Sequence, residues 1–161
     1  MIERATLFSP NGTIEYTGFD LFENMTNKMY KQEISKIPPS AHQVRTLLEK
    51  TRARITLLVG FTQETMKNMD TFNKVDFVFI DGGHDAETVL NDWIGVEKVM
   101  HKDTVVIFDD YWHNRDDGPK KIIDSIDRKK YKVSFLPKVD VFFNPDFGRL
   151  VISLVKVTLI N

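Results

Sequence analysis

Three apolar runs in this sequence end in aspartate. Asp20 closes "TGFD", Asp81 closes "VDFVFID", and Asp109 with Asp110 closes "VVIFDD". The carboxyl ends of strands are where open α/β sheets bind ligands, so these acids are the first candidates for chemistry. Each one taken singly also fits a turn or a helix N-cap. The adjacent pair asks for more, because neighbouring carboxylates at the mouth of a buried strand repel unless a cation or hydrogen-bond donors offset them. Together with Asp81 they form an all-oxygen ligand set, which suits Mg2+, Ca2+ or Mn2+ and not zinc. The alternative is one Asp as an N-cap and the other in solvent.

The residues after Asp81 extend the pattern. Gly82 and Gly83 allow a tight turn with positive φ and close approach of a ligand to the backbone. His84 then stands where a general base or a metal ligand is useful, or where a loop histidine caps the following helix. His113, just beyond "DDYW", is a rival base. Tyr111 and Trp112 fit either the wall of a substrate pocket or ordinary packing. His42 and His101 fall on a helix and a helix-end turn, with no role assigned.

The elements that must position these side chains alternate between strand-like and helix-like segments, the pattern of an α/β domain with a largely parallel sheet. "TIEYTGFD" is the first strand, after the turn signal "SPNG". A helix follows "IPPS", where Ser40 and Gln43 have capping-box spacing ahead of Val44, Leu47 and Leu48. "RITLLVG" is the second strand, and a short helix over 63–69 leads into "VDFVFID", whose near-continuous apolar run predicts a central strand buried on both faces. Val89, Leu90, Trp93, Val96 and Met100 recur at helical spacing and predict a helix over 86–100. "DTVVIFDD" is the fourth strand and "PKKIIDSI" a further helix opened by Pro119. "KVSFLPKVDVFF" and "RLVISLVKVTLI", joined at "NPDFG", read as an antiparallel pair at one sheet edge.

Composition narrows the function classes. At 161 residues with 42% hydrophobic and 28% charged residues and a formal charge of -1, the chain reads as one globular domain. Nothing in that balance points to nucleic acid, and the basic run Arg128, Lys129, Lys130, Lys132 reads as a solvated helix end. The absence of cysteine excludes thiolate metal sites, disulfides and a cysteine nucleophile. No apolar run approaches the roughly 20 residues that span a bilayer, and no signal-like core opens the chain, so a cytoplasmic protein without a membrane partner is the expectation.

"GFDLF", "LLVGFTQETM", "DFVFIDGGHDAETVLNDW" and "VVIFDDYW", in this order and at these separations, resemble the class I S-adenosylmethionine-dependent methyltransferases, in particular the macrocin O-methyltransferase-like branch. The resemblance spans about residues 10 to 155. It implies a Rossmann-like methyltransferase sheet, mostly parallel with an antiparallel C-terminal edge pair, and O-methylation of a small-molecule hydroxyl. It also assigns residues. Asp20, preceded by Gly18, would hydrogen-bond the ribose of S-adenosylmethionine; Gly60, Phe61, Thr62 and Gln63 would line the adenine end; Asp81 and Gly82 would border the cofactor. Asp81, Asp109 and Asp110 would hold Mg2+ or another divalent cation against neighbouring oxygens of the acceptor.

The chain departs from that family in three places. The glycine-rich strand and loop expected some 30 to 40 residues before Asp20, one βα unit, are missing, since 19 residues precede Asp20 and "MIERATLF" resembles the end of the family's first helix. The expectation is therefore a shortened chain whose first strand is absent mid-sheet, between the strands ending at Asp20 and Asp81, with the gap covered in a homo-oligomer such as a dimer. Gly83 stands where relatives carry the acid suggested as base, which leaves His84 as its possible replacement. "HKD" replaces a Pro-Gly turn before "VVIF". Two other functions remain open beside the methyltransferase: a catalytically silent binding or assembly module, and a metal-dependent hydrolase using the same three acids.

Overall fold

The computed structural model describes residues 14–32, 38–116, 118–144 and 148–160, together with Ile2 and Ala5. The turn expected at "SPNG", most of "MIERATLF" and the centre of "NPDFG" lie outside these residues. The chain forms two compact units, residues 1–65 and 66–161.

The first unit is built on a parallel pair, β1 (Glu15–Asp20) and β2 (Arg54–Val59). Both strands alternate between exposed and partly covered positions, as period-2 side chains require. The register sets Asp20 beside Val59, and the Gly60 amide continues the ladder by donating to the Asp20 carbonyl over 2.9 Å. Between the strands run α1 (Asn27–Gln32) and α2 (Ala41–Leu48). The capping box expected at Ser40 is present: its hydroxyl accepts from the Gln43 amide at 3.2 Å while the Gln43 side chain accepts from the Ser40 amide at 2.8 Å. A short helix, α3 (Thr62–Thr65), follows the turn at Gly60. It is shorter than the helix expected over 63–69, because the chain tightens instead into a separate 3-10 turn at Met69–Thr71.

The second unit is a four-stranded sheet in the order β3 (Val75–Ile80), β4 (Met100–Trp112), β6 (Gly148–Leu159), β5 (Tyr131–Asn144). β3 and β4 are parallel, while β4–β6 and β6–β5 are antiparallel, so the C-terminal hairpin lies where the sequence predicts it. Two helices, α4 (Ala86–Glu97) and α5 (Gly118–Ser125), bury the face that carries Ile80, Phe108, Val155 and Val157. Trp93 of α4 reaches down to Phe108 and Tyr131, with ring centroids 5.6 and 5.0 Å apart. Phe108, Val106, Val155 and Val157 have no exposed surface, and each such side chain stabilises the unit by about 1.5–3 kcal/mol. Asp85 starts α4, its Oδ1 accepting from the amides of Glu87 at 3.0 Å and Thr88 at 2.9 Å.

β3 differs from its expectation. It is an end strand of its sheet, not a central one, and Phe77 and Phe79 are 46% and 39% exposed on the face opposite Ile80. Its apolar run is that of a two-sided strand, but only the side facing α4 is covered within this sheet. Among the described residues β1 pairs only with β2 and β3 only with β4. No helix of the described chain is long and apolar enough to cross a membrane.

Candidate functional site

The second unit gathers its polar strand ends into one cleft. Asp81 leaves the end of β3, and Asp109 and Asp110 sit in β4 at a register shift between Phe108 and Tyr111, where two residues of β4 face one of β6. Such a bulge re-aims side chains that a regular strand would send to opposite faces. Asp110 shows the cost, with φ at +55°, a left-handed conformation that Asp tolerates better than most residues. The bulge is bridged internally: the Asp110 amide donates to Asp109 Oδ1 at 2.8 Å.

In that conformation Asp110 Oδ2 lies 2.8 Å from His84 Nε2, and Asp110 Oδ1 accepts from the indole N–H of Trp112 at 3.3 Å. The His84 ring also packs against Trp112, centroids 5.2 Å apart, and the Arg115 guanidinium lies over the Trp112 ring, 4.9 Å from its centroid. With a carboxylate acceptor on Nε2, that nitrogen carries the proton. The Nδ1 atom is buried. Of the two roles open to Trp112 and Tyr111, packing is the one the geometry supports for both: Trp112 is buried against the His84 ring, and the Tyr111 hydroxyl donates to Asp124 at 3.0 Å.

The cleft is a small indentation open to solvent, lined by Asp81, Gly82, His84, Asp109, Asp110 and Pro119 among others. One oxygen from each of Asp81, Asp109 and Asp110 can lie within 4.8 Å of the other two. Burial and the charges of Asp110 and Asp140 push the Asp109 carboxyl above the usual carboxylate range, against the Asp110 amide and His84, which pull it down. The repulsion expected of the adjacent pair is therefore only partly offset within the chain, and the all-oxygen set fits a hard divalent cation.

The two glycines act otherwise than expected. Neither Gly82 nor Gly83 has a positive φ. Gly82 is small because a Cβ there would stand 3.0 Å from Asp92 Oδ2, and the left-handed glycine of this site is Gly118 at φ +60°, whose Cβ would stand 2.7 Å from the His84 carbonyl oxygen. His113 does not line the cleft: its Nε2 bonds Ser153 Oγ at 2.9 Å and its ring packs on Tyr111 and Phe135. Asp85 and Asp140 carry no role in the sequence reading, and Pro119 appears there only as the opening residue of a helix. Asp85 had the signal of an acid ahead of a helical stripe, whereas Asp140 is one polar position in an alternating strand and only the fold brings its charge to bear on Asp109.

In the first unit, Asp20, Gly60, Phe61, Thr62 and Gln63 cluster at the carboxyl ends of β1 and β2. Asp20 Oδ1 accepts from the Phe22 amide at 2.7 Å, a turn role that occupies one of its two oxygens. Gly18 has a packing reason: a Cβ would meet the Tyr16 hydroxyl at 3.0 Å and Leu57 at 3.2 Å.

Residues 5–111 match the model of a family described as a methyltransferase domain. The chain belongs to that family. The domain has the class I, S-adenosylmethionine-dependent methyltransferase fold, and solved structures agree. An O-methyltransferase from Bacillus cereus, in complex with SAH, is 12% identical, with 99% of this chain and 79% of that chain covered and a TM-score of 0.58. The O-methyltransferase TomG from Streptomyces achromogenes, involved in tomaymycin synthesis and solved with SAM, is 11% identical over 98% of this chain and 79% of that one, with a TM-score of 0.54. No curated protein matches the methyltransferase domain in sequence.

Proposed function

We propose that this methyltransferase domain transfers the methyl group of S-adenosylmethionine to a hydroxyl of a small-molecule acceptor, with help from a divalent cation. The observation that carries the reading is the convergence of Asp81, Asp109 and Asp110 at the ends of two parallel strands, beside a paired histidine. The two solved O-methyltransferases, one with SAH and one with SAM, support the cofactor.

In the first unit, Asp20 offers a carboxylate to ribose hydroxyls, and the turn of Gly60, Phe61, Thr62 and Gln63, beside Gly18 and Asp20 in the ladder, offers a surface to the adenine. In the second, Asp81 and Gly82 border the reacting end. Asp81, Asp109 and Asp110 would hold Mg2+ or a similar ion, which when bound supplies Lewis acidity that lowers the pKa of a coordinated hydroxyl. The chain's own residues do the positioning. Pro119 covers one side of the cleft, Trp112 holds His84 and Asp110 in place from behind, and the bulge fixes the carboxylates relative to β3. Methyl transfer from a sulfonium is an in-line displacement, so alignment contributes much of the rate.

His84 is the proposed proton acceptor. Its Nε2 is committed to Asp110 and its Nδ1 is buried, so the ring must turn away from Asp110 to take a proton. His113, committed to Ser153, is the weaker candidate.

The test is a titration with Mn2+ followed by electron paramagnetic resonance. One ion bound per chain, lost in Asp81→Asn and Asp109→Asn, is the expected result. Absence of binding in the wild-type chain overturns the cation-assisted reading, and Mn2+-dependent hydrolysis without the cofactor would favour a hydrolase.

A further inference from the structure

We propose that Asp92 is a positioning residue of the cleft: its buried carboxylate holds in place the turn that carries Asp81. The purpose of that role rests on the cation-assisted reading above, while its geometry stands apart from it. Asp92 lies on the inner side of α4 beside Val89, Trp93 and Val96 and is 7% exposed, the only buried acid among the described residues. Burying a carboxylate is costly, and a position that needed only packing would be better filled by an apolar side chain, as those three neighbouring positions are. Asp92 is also not one of the three acids whose oxygens converge.

What it touches is Gly82. Asp92 Oδ2 lies 3.0 Å from the point where a Cβ on Gly82 would stand, so the carboxylate occupies the space that any other residue would fill with its own side chain. Asn91 Nδ2 donates to the other oxygen over a long 3.4 Å. The need for support is local. Asp109 and Asp110 are fixed by the bulge of β4, whereas Asp81 is exposed, follows Ile80 at the end of the β3 ladder, and precedes two glycines, the residue type with most backbone freedom to lose. Neither glycine has a positive φ, so conformation does not demand glycine at position 82; clearance for the carboxylate does. Removing a group that orients a metal ligand typically costs about 10- to 100-fold in metal affinity.

The test uses the whole chain, first without metal and then with Mn2+. Backbone amide relaxation by NMR in the metal-free protein should give order parameters of about 0.85 for Gly82 and Gly83 in the wild type and below about 0.6 in Asp92→Ala, with the amides of α4 unchanged. Mn2+ affinity should fall about tenfold or more in Asp92→Ala. Asp81→Asn should lose affinity with its turn still rigid, which separates a ligand from the residue that positions it. Gly82 is exposed, so Gly82→Ala should fold, and its methyl, pressed on the carboxylate, should lower affinity in the wild-type background but no further in the Asp92→Ala background. Equal glycine order parameters in wild type and Asp92→Ala, undiminished affinity in Gly82→Ala, or losses that simply add in the double variant would overturn the proposal. A wild-type chain that binds no Mn2+ would instead overturn the cation-assisted reading, and the order parameters alone then decide whether Asp92 holds the turn.

Discussion

Asp110 meets His84 at 2.8 Å only because its backbone is left-handed, φ +55°, within a bulge of β4. Backbone strain of this kind costs about 1–3 kcal/mol and persists where the surrounding structure over-determines it. Here it aims a carboxylate into the cleft. Asp110→Asn keeps a residue that tolerates this conformation and removes the charge, so the fold should survive with melting temperature nearly unchanged while Mn2+ affinity falls at least about tenfold. Asp110→Val, β-branched and intolerant of positive φ, should lower stability by about 1–3 kcal/mol in a urea melt.

Gly118 faces two constraints at once, φ +60° and the His84 carbonyl oxygen 2.7 Å from any added Cβ. Gly118→Ala should therefore cost at least about 1–2 kcal/mol for conformation alone, with more for displacement of the His84 loop. A thermal melt checks the first part. Loss of the His84–Asp110 pair, seen as a changed imidazole resonance by NMR, checks the second.

Asp109 predicts a trade between stability and function. Burial and the charges of Asp110 and Asp140 raise its folded pKa above the unfolded value. An acid shifted upwards favours the unfolded state once it ionises, so the penalty is present above the folded pKa and relieved as pH falls through the unfolded one. Asp109→Asn should thus stabilise the metal-free protein at neutral pH, with a gain that shrinks towards acid, while removing a cation ligand. Denaturant melts across pH without added metal measure this; a destabilised variant at neutral pH would contradict it.

Asp85 behaves in the opposite sense. Burial works to raise its pKa, but hydrogen bonds from the Thr88 side chain and amide and the Glu87 amide together lower it below the usual range. Its N-cap stabilisation should be present above the unfolded pKa and lost as pH falls through the lower folded value. Asp85→Ala should cost about 1 kcal/mol near neutrality, and the difference from wild type should close in acid.

The strand ends were legible because β-branched and aromatic runs stop abruptly at acids, and the Ser40–Gln43 box because capping is local chemistry. What the sequence did not reveal depends on pairing. A run such as "VDFVFI" cannot say whether its second face is covered, so β3 read as central although it ends its sheet. The bulge that turns Asp109 and Asp110 depends on the register of β4 against β6, and Gly118 rather than Gly82 or Gly83 takes positive φ because of the His84 loop packed against it. His113 looked equivalent to His84 along the chain, and only Ser153, distant in sequence, separates their roles.

The most direct measurement is isothermal titration of the wild-type chain and Asp20→Ala with S-adenosylhomocysteine in the presence of Mg2+. A carboxylate hydrogen-bonded to the ribose predicts binding by the wild type that weakens about tenfold, roughly 1.4 kcal/mol, in Asp20→Ala. No binding by the wild-type chain, or equal binding by both, would contradict the account.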